Sequence, residues 1–100
     1  MSDILITLLS PRALEESIVN TLLRVDGIAF ISSTPAALHG LSAEVLTHSE
    51  QVLGHAKATE VRLVVNAAKI SKLLDSLQKQ FAGAGLRYWI TSVLESGEFK

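Results

Sequence analysis

The order of apolar and amphipathic runs repeats in the two halves of this chain, and that repeat limits the possible folds more than any other feature. Ile4 to Leu9 (ILITLL) leads into an amphipathic stretch beginning at Pro11 and then into Ile28 to Ser33; Val61 to Val65 (VRLVV) leads in the same way into a stretch from Ala67 and then into Leu86 to Leu94. The paired runs start 24 and 25 positions apart, from 4 to 28 and from 61 to 86, which is the length of a strand, a crossover helix and its turns. Two such units predict one α+β domain over 1–100. Its fold is ferredoxin-like βαββαβ, an antiparallel four-stranded sheet with two helices on one face. This architecture hosts enzymes, RNA binders and small-molecule sensors alike, so function has to be argued from sites.

Composition narrows the classes. With 100 residues, 48% of them hydrophobic, the chain can fill a single core without staples. It has no cysteine, which removes disulfide frameworks and thiolate metal sites. The N-terminal apolar run has no basic segment before it and breaks at Ser10-Pro11, far short of the roughly 20 residues of a membrane span. The expectation is a cytoplasmic protein that is not membrane-embedded. Nine Lys and Arg against ten Asp and Glu give a net charge of −1, a balance unsuited to gripping phosphate backbones, so nucleic acid is not an expected partner.

Strand one, Ile4 to Leu9, is apolar on both faces except at Thr7. Ser10 is placed to cap a helix, Pro11 to occupy its first position, and Glu15 and Glu16 to sit near its positive end. Leu14, Ile18, Leu22 and Val25 then recur at helical spacing until Gly27, with Arg12, Glu16, Asn20 and Arg24 on the polar face. Ile28 to Ser33 reads as strand two, ended by Thr34-Pro35, and a long irregular segment runs to Thr59. Within it Leu41, Val45, His48 and Val52 keep a helical spacing, while EQVLGHA reads equally well as an extended arm leading into strand three. Strand three runs from Glu60 to Val65, and Asn66 is positioned to cap helix two. The stripe of helix two is Ile70, Leu73, Leu74, Leu77 and Phe81, opposite Lys69, Lys72, Asp75, Gln78 and Lys79. Gly83-Ala84-Gly85 ends it, and strand four alternates Leu86, Tyr88 and Ile90 against Arg87, Trp89 and Thr91.

If both helices cover one face of the sheet, alternation leaves Leu5, Leu9, Val64 and Trp89 on the other. Burying even about 400 Å² of such a patch is worth on the order of 10 kcal/mol before association costs. The expected cover is a second copy of the chain, with the middle segment folding back over the face as the alternative.

Over nearly its whole length the chain resembles the PII-like superfamily of trimeric nitrogen-signalling proteins. The likeness rests on a first strand ending before a proline-started helix, a long excursion between strands two and three, and the run VRLVVNAAKISKLLDSL, similar to that family's third strand and second helix. EQVLGHA and the short C-terminus are similar to a PII-like branch often encoded beside heavy-metal efflux pumps. The resemblance implies a non-catalytic regulatory protein acting as a homotrimer, or a dimer. It would sense a small molecule, often an adenine nucleotide in this superfamily, in clefts between subunits and signal to a membrane transporter or an enzyme through the loop between strands two and three. The chain departs from the family after helix two. Where classical members carry Thr-Gly and Gly-Asp-Gly-Lys runs, it has Gly83-Ala84-Gly85-Leu86-Arg87, which lacks the acidic residue and displaces the cation by one. The family's C-terminal arginine pair has no counterpart in SGEFK. No particular cofactor or effector is implied.

Two groups of residues have chemistry to offer. For ligand binding they are Gly40, Gln51 and Gly54 in the excursion and Gly83, Gly85 and Arg87 after helix two, where glycine backbone and a guanidinium suit an anion. For metal they are His39, His48 and His55, since neutral imidazole suits zinc, copper and nickel. Their separations of nine and seven match no compact motif, and Glu44 and Glu50 are the nearby carboxylates. These histidines support an alternative function, a small metal-binding protein linked to heavy-metal efflux. No nucleophile, base and orienter stand at a recognisable spacing, which ranks an enzyme such as a cofactor-free oxygenase last. The missing Gly-rich aromatic run counts against an RNA-binding domain of this topology.

Overall fold

A computed structural model describes residues 2–28, 30–40 and 46–100. Along the chain it forms β1 (Asp3–Pro11), α1 (Glu15–Leu23), β2 (Ile31–Leu38), α2 (His48–Leu53), β3 (Ala56–Asn66), α3 (Ile70–Phe81) and β4 (Arg87–Ser92). Single 3-10 turns at Arg12–Leu14 and Ala67–Lys69 lead into α1 and α3. The strands make one sheet in the order β2-β3-β1-β4, antiparallel at every pairing. The two apolar strands with a repeat partner, β1 and β3, are central, as expected of a split β-α-β sheet.

Alternation sorts the sheet into two faces. Ile6 and Leu8 of β1 oppose Leu63 and Val61 of β3, and all four are buried with Ile18 and Leu22 of α1 and Leu73, Leu77 and Phe81 of α3. Both long helices therefore cover one face. Full burial of each such side chain is worth about 1.5–3 kcal/mol, which is why the 3.6-residue stripe of α3 and the 2-residue alternation of β3 specify each other's position. Asn66 caps as expected, its Oδ1 accepting the Ala68 N–H at 2.9 Å.

Several boundaries differ from the sequence expectation. Pro11 is the last residue of β1, extended at φ −52° and ψ 137°, and α1 begins only after the 3-10 turn. Ser10 does not cap the helix; its hydroxyl donates to the Pro11 carbonyl at 2.7 Å. The helix ends at Leu23 rather than at Gly27, which instead takes a left-handed φ of 89° in the turn that follows. Strand two is shifted to Ile31–Leu38 and runs through Thr34-Pro35 instead of stopping there. Ile28 packs against the core instead of joining the ladder. Pro35 is tolerated because β2 is an edge strand paired only with β3, where a residue without an N–H is least costly. Strand three correspondingly starts at Ala56, four residues ahead of Glu60.

The excursion between β2 and β3 divides the two readings of EQVLGHA. Glu50 to Leu53 are helical, Gly54 turns left-handed at φ 78°, and the strand begins at Ala56. Thr47 and Glu50 form a capping box that starts α2. Of the helically spaced residues, His48 and Val52 lie on α2, whereas Leu41 and Val45 lie outside the described residues, as does Glu44.

Candidate functional site

The register places both groups of candidate residues at one end of the sheet, the end where β1 finishes. Leu9 pairs with Arg87 at the start of β4, Pro11 pairs with Ala58, and Ala56 pairs with Leu38 at the end of β2. The excursion therefore rises from the β2–β3 flank, while Gly83, Gly85 and Arg87 lie on the β4 flank.

On the β4 flank, α3 stops at Phe81, and Ala84 donates its N–H to the Phe81 carbonyl at 3.0 Å. Gly83 and Gly85 both adopt left-handed φ, 77° and 82°, a region that a β-carbon disfavours. A β-carbon on Gly85 would meet Pro11 Cγ at 3.8 Å, so this turn leans on the β1 corner. Arg87 opens β4 and is exposed. Beside the turn, Leu8, Leu74, Leu77, Phe81, Leu86 and Tyr88 line a cavity of about 430 Å³ between α3 and β4.

On the other flank, Gly40 follows β2 with φ 82° and Gly54 caps α2. Gln51 lies on α2, its Nε2 donating to the Leu46 carbonyl at 3.3 Å. The three histidines separate. His48 is the first residue of α2 and exposed, while His39 and His55 meet with ring centroids 5.3 Å apart and planes tilted by 45°. Leu38 pairs with Ala56 as the last rung of the ladder, and His39 and His55 are the residues just beyond it on the two strands. Among the described residues no group of three or more His, Cys, Asp or Glu is arranged to hold a metal.

Between the flanks lies Arg12, which the sequence assigned only to a polar helix face. Its Nε donates to the Ala58 carbonyl at 3.2 Å and its Nη2 to the Ala36 carbonyl at 3.0 Å. The guanidinium thus ties the α1 corner to β2 and β3 just below the excursion. Nearby Glu15 accepts the Thr59 hydroxyl through Oε1 at 2.7 Å. No local sequence signal marks either link, because the partners are 24 to 46 residues apart.

Glu50 accepts two backbone N–H groups, those of Thr47 and Lys57. The Thr47 N–H, and after it the Lys57 N–H, hold its carboxyl below the usual glutamate range, because hydrogen bonds to the charged form favour it.

The face away from the helices carries three rows across β3, β1 and β4: Val64, Leu5 and Thr91; Arg62, Thr7 and Trp89; Glu60, Leu9 and Arg87. Arg62 is ion-paired with Glu60. Trp89 remains 45% exposed, and all six residues of the edge strand β4 are exposed. Leu94 and Phe99 beyond it are fully exposed. Among the described residues no helix is long and apolar enough to cross a membrane.

Comparison with known proteins agrees with this architecture. Among solved structures, a DUF3240 family protein from Shewanella baltica OS155 superposes with a TM-score of 0.79 at 21% identity, over 100% of this chain and 99% of that one. The nitrogen regulatory PII-like protein CPII from Thiomonas intermedia K12, solved with ADP, AMP and bicarbonate, gives 0.74 at 13% identity over 99% and 98%. The periplasmic divalent cation tolerance protein CutA from Archaeoglobus fulgidus gives 0.71 at 12% identity over 96% and 88%. No curated protein matches the sequence. These likenesses establish a PII-like fold, as the resemblance implied. The model of the family described as "Protein of unknown function (DUF3240)" matches residues 1–100, and the chain belongs to that family.

Proposed function

We propose that this protein is a PII-like regulatory sensor without catalytic activity of its own, working in the cytoplasm as a homotrimer. A small-molecule effector would sit in a cleft between subunits. The observation that carries the reading is the sheet face away from the helices, where Leu5, Leu9, Val64 and the 45% exposed Trp89 stand beside the edge strand β4, which among the described residues pairs with β1 alone. A patch of this kind is unfavourable in water and is stabilised by burial against another copy. The Gly83-to-Arg87 turn borders that edge, so its left-handed backbone and guanidinium would line a cleft that a neighbouring subunit closes there. The excursion stands at the same end of the sheet, so cleft occupancy can bias it, and through it a transporter or enzyme partner.

Adenine nucleotides and bicarbonate are the first effectors to try, since the PII-like protein of Thiomonas intermedia was solved with ADP, AMP and bicarbonate. Light scattering of the purified chain is expected to give three chain masses; a dimer would change the assembly but keep the cleft, and a monomer at micromolar concentration would remove it. Thermal melts with ADP, AMP, ATP, bicarbonate and amino acids then identify the effector. A ligand at about 100 times its dissociation constant adds about 2.7 kcal/mol of stability. Melts unmoved by every one of them would leave the sensor reading without support.

A further inference from the structure

We propose that His39 and His55 form a two-histidine chelate for a divalent first-row transition ion at the foot of the β2–β3 excursion, and that His48 takes no part in it. The juxtaposition comes from the register. Antiparallel pairing runs from Ile31 with Leu63 to Leu38 with Ala56, and His39 and His55 lie just beyond that last rung, with the whole excursion between them.

The spacing suits one shared ion. With metal–nitrogen bonds of about 2.0–2.1 Å, two imidazoles on a tetrahedral centre have ring centres about 5.2 Å apart. The observed separation is 5.3 Å, with the planes tilted by 45° rather than stacked flat. Each histidine adjoins a left-handed glycine, Gly40 or Gly54, and among the described residues a β-carbon placed on either would meet nothing within 4 Å. His39 is exposed and His55 half-buried, so an ion can reach both with its own waters completing the shell.

Donor chemistry sets the class of ion. Imidazole pairs favour copper(II), nickel(II) and zinc(II), with copper tightest, over hard magnesium or calcium. Two imidazoles supply two of the ligands such an ion takes, and its waters or an exogenous ligand would supply the others. An ion bound here would staple the two strand ends from which α2 and the rest of the excursion hang. This site is independent of the subunit cleft: a chain that is monomeric and indifferent to nucleotides would still bind the ion.

The test is calorimetric titration of the tag-free, full-length protein with zinc, nickel and copper chlorides at neutral pH, with magnesium as control. One ion per chain is expected, with at least a tenfold weaker affinity in either His39→Ala or His55→Ala and less than a twofold change in His48→Ala. Nitrogen-15 spectra of the histidine side chains provide a readout that needs no substitution: the ring signals of His39 and His55 should shift together on adding zinc while that of His48 stays. No heat with any of the three metals would overturn the proposal. So would affinity unchanged in both the His39 and His55 variants, equal dependence on His48, or one ion per two chains.

Discussion

The Glu50 carboxylate accepts the Lys57 backbone N–H through Oε2 at 2.6 Å while its Oε1 takes the Thr47 N–H at 3.0 Å. One side chain thereby holds the start of α2 and the beginning of β3 together. These bonds are made to the ionised form, and the carboxyl titrates below its ordinary range when folded. A lowered folded-state value contributes stability that is complete above the unfolded value and lost as pH falls through the folded one. The anchor of α2 is therefore intact at neutral pH and released only in acid, below the usual glutamate range. Hydrogen exchange at the Lys57 amide should accelerate there relative to its intrinsic rate, and Glu50→Ala should show the same loss of protection at pH 7. Thr47→Ala, which removes the other half of the capping box, is expected to cost about 1 kcal/mol of local α2 stability.

Thr59 is 1% exposed and donates its hydroxyl to Glu15. Glu15→Ala strands that buried hydroxyl and is expected to destabilise the protein by about 1–3 kcal/mol in urea unfolding. Glu15→Gln keeps a carbonyl acceptor and should cost less. In the double variant with Thr59→Val the two losses should be less than additive, because each removes the same bond.

Leu63 lies at the centre of the core, 1% exposed and paired with Ile6. Leu63→Ala should cost about 2–5 kcal/mol through lost burial and a residual cavity. Leu94→Ala, at a fully exposed position of the monomer, should leave the unfolding of the isolated chain unchanged.

Trp89→Glu separates folding from assembly. The position is half-exposed on the open face and lies outside the core, so the circular dichroism spectrum should be retained. A charge there would have to leave water for a neighbouring copy to cover this face, and light scattering should report a monomer. A variant that stays fully assembled would show that this face is not the interface.

Gly85→Ala tests the turn after α3. The added β-carbon meets Pro11 Cγ at an ordinary 3.8 Å, so the cost is conformational. Holding alanine at a φ near 82° is expected to lose about 1–2 kcal/mol, measured as a lower melting temperature.

Local pattern determined the architecture of this protein. The duplicated apolar runs, the stripe from Ile70 to Phe81 and the Asn66 cap each depend on neighbours within a few residues, and period 2 against period 3.6 is enough to assign strand, helix and face. Leu5, Leu9, Val64 and Trp89 fell on the open face for the same reason. Tertiary structure decided what depends on pairing. Strand two could extend through Pro35 only because it lies at a sheet edge, and that extension is what brings His39 next to His55. The separate fate of His48 follows from a capping box whose carboxylate also reaches across to Lys57. Arg12 and Glu15 find partners 24 to 46 positions away, and no periodicity records such contacts, because they arise only when the strand register has been fixed by burial of the other face.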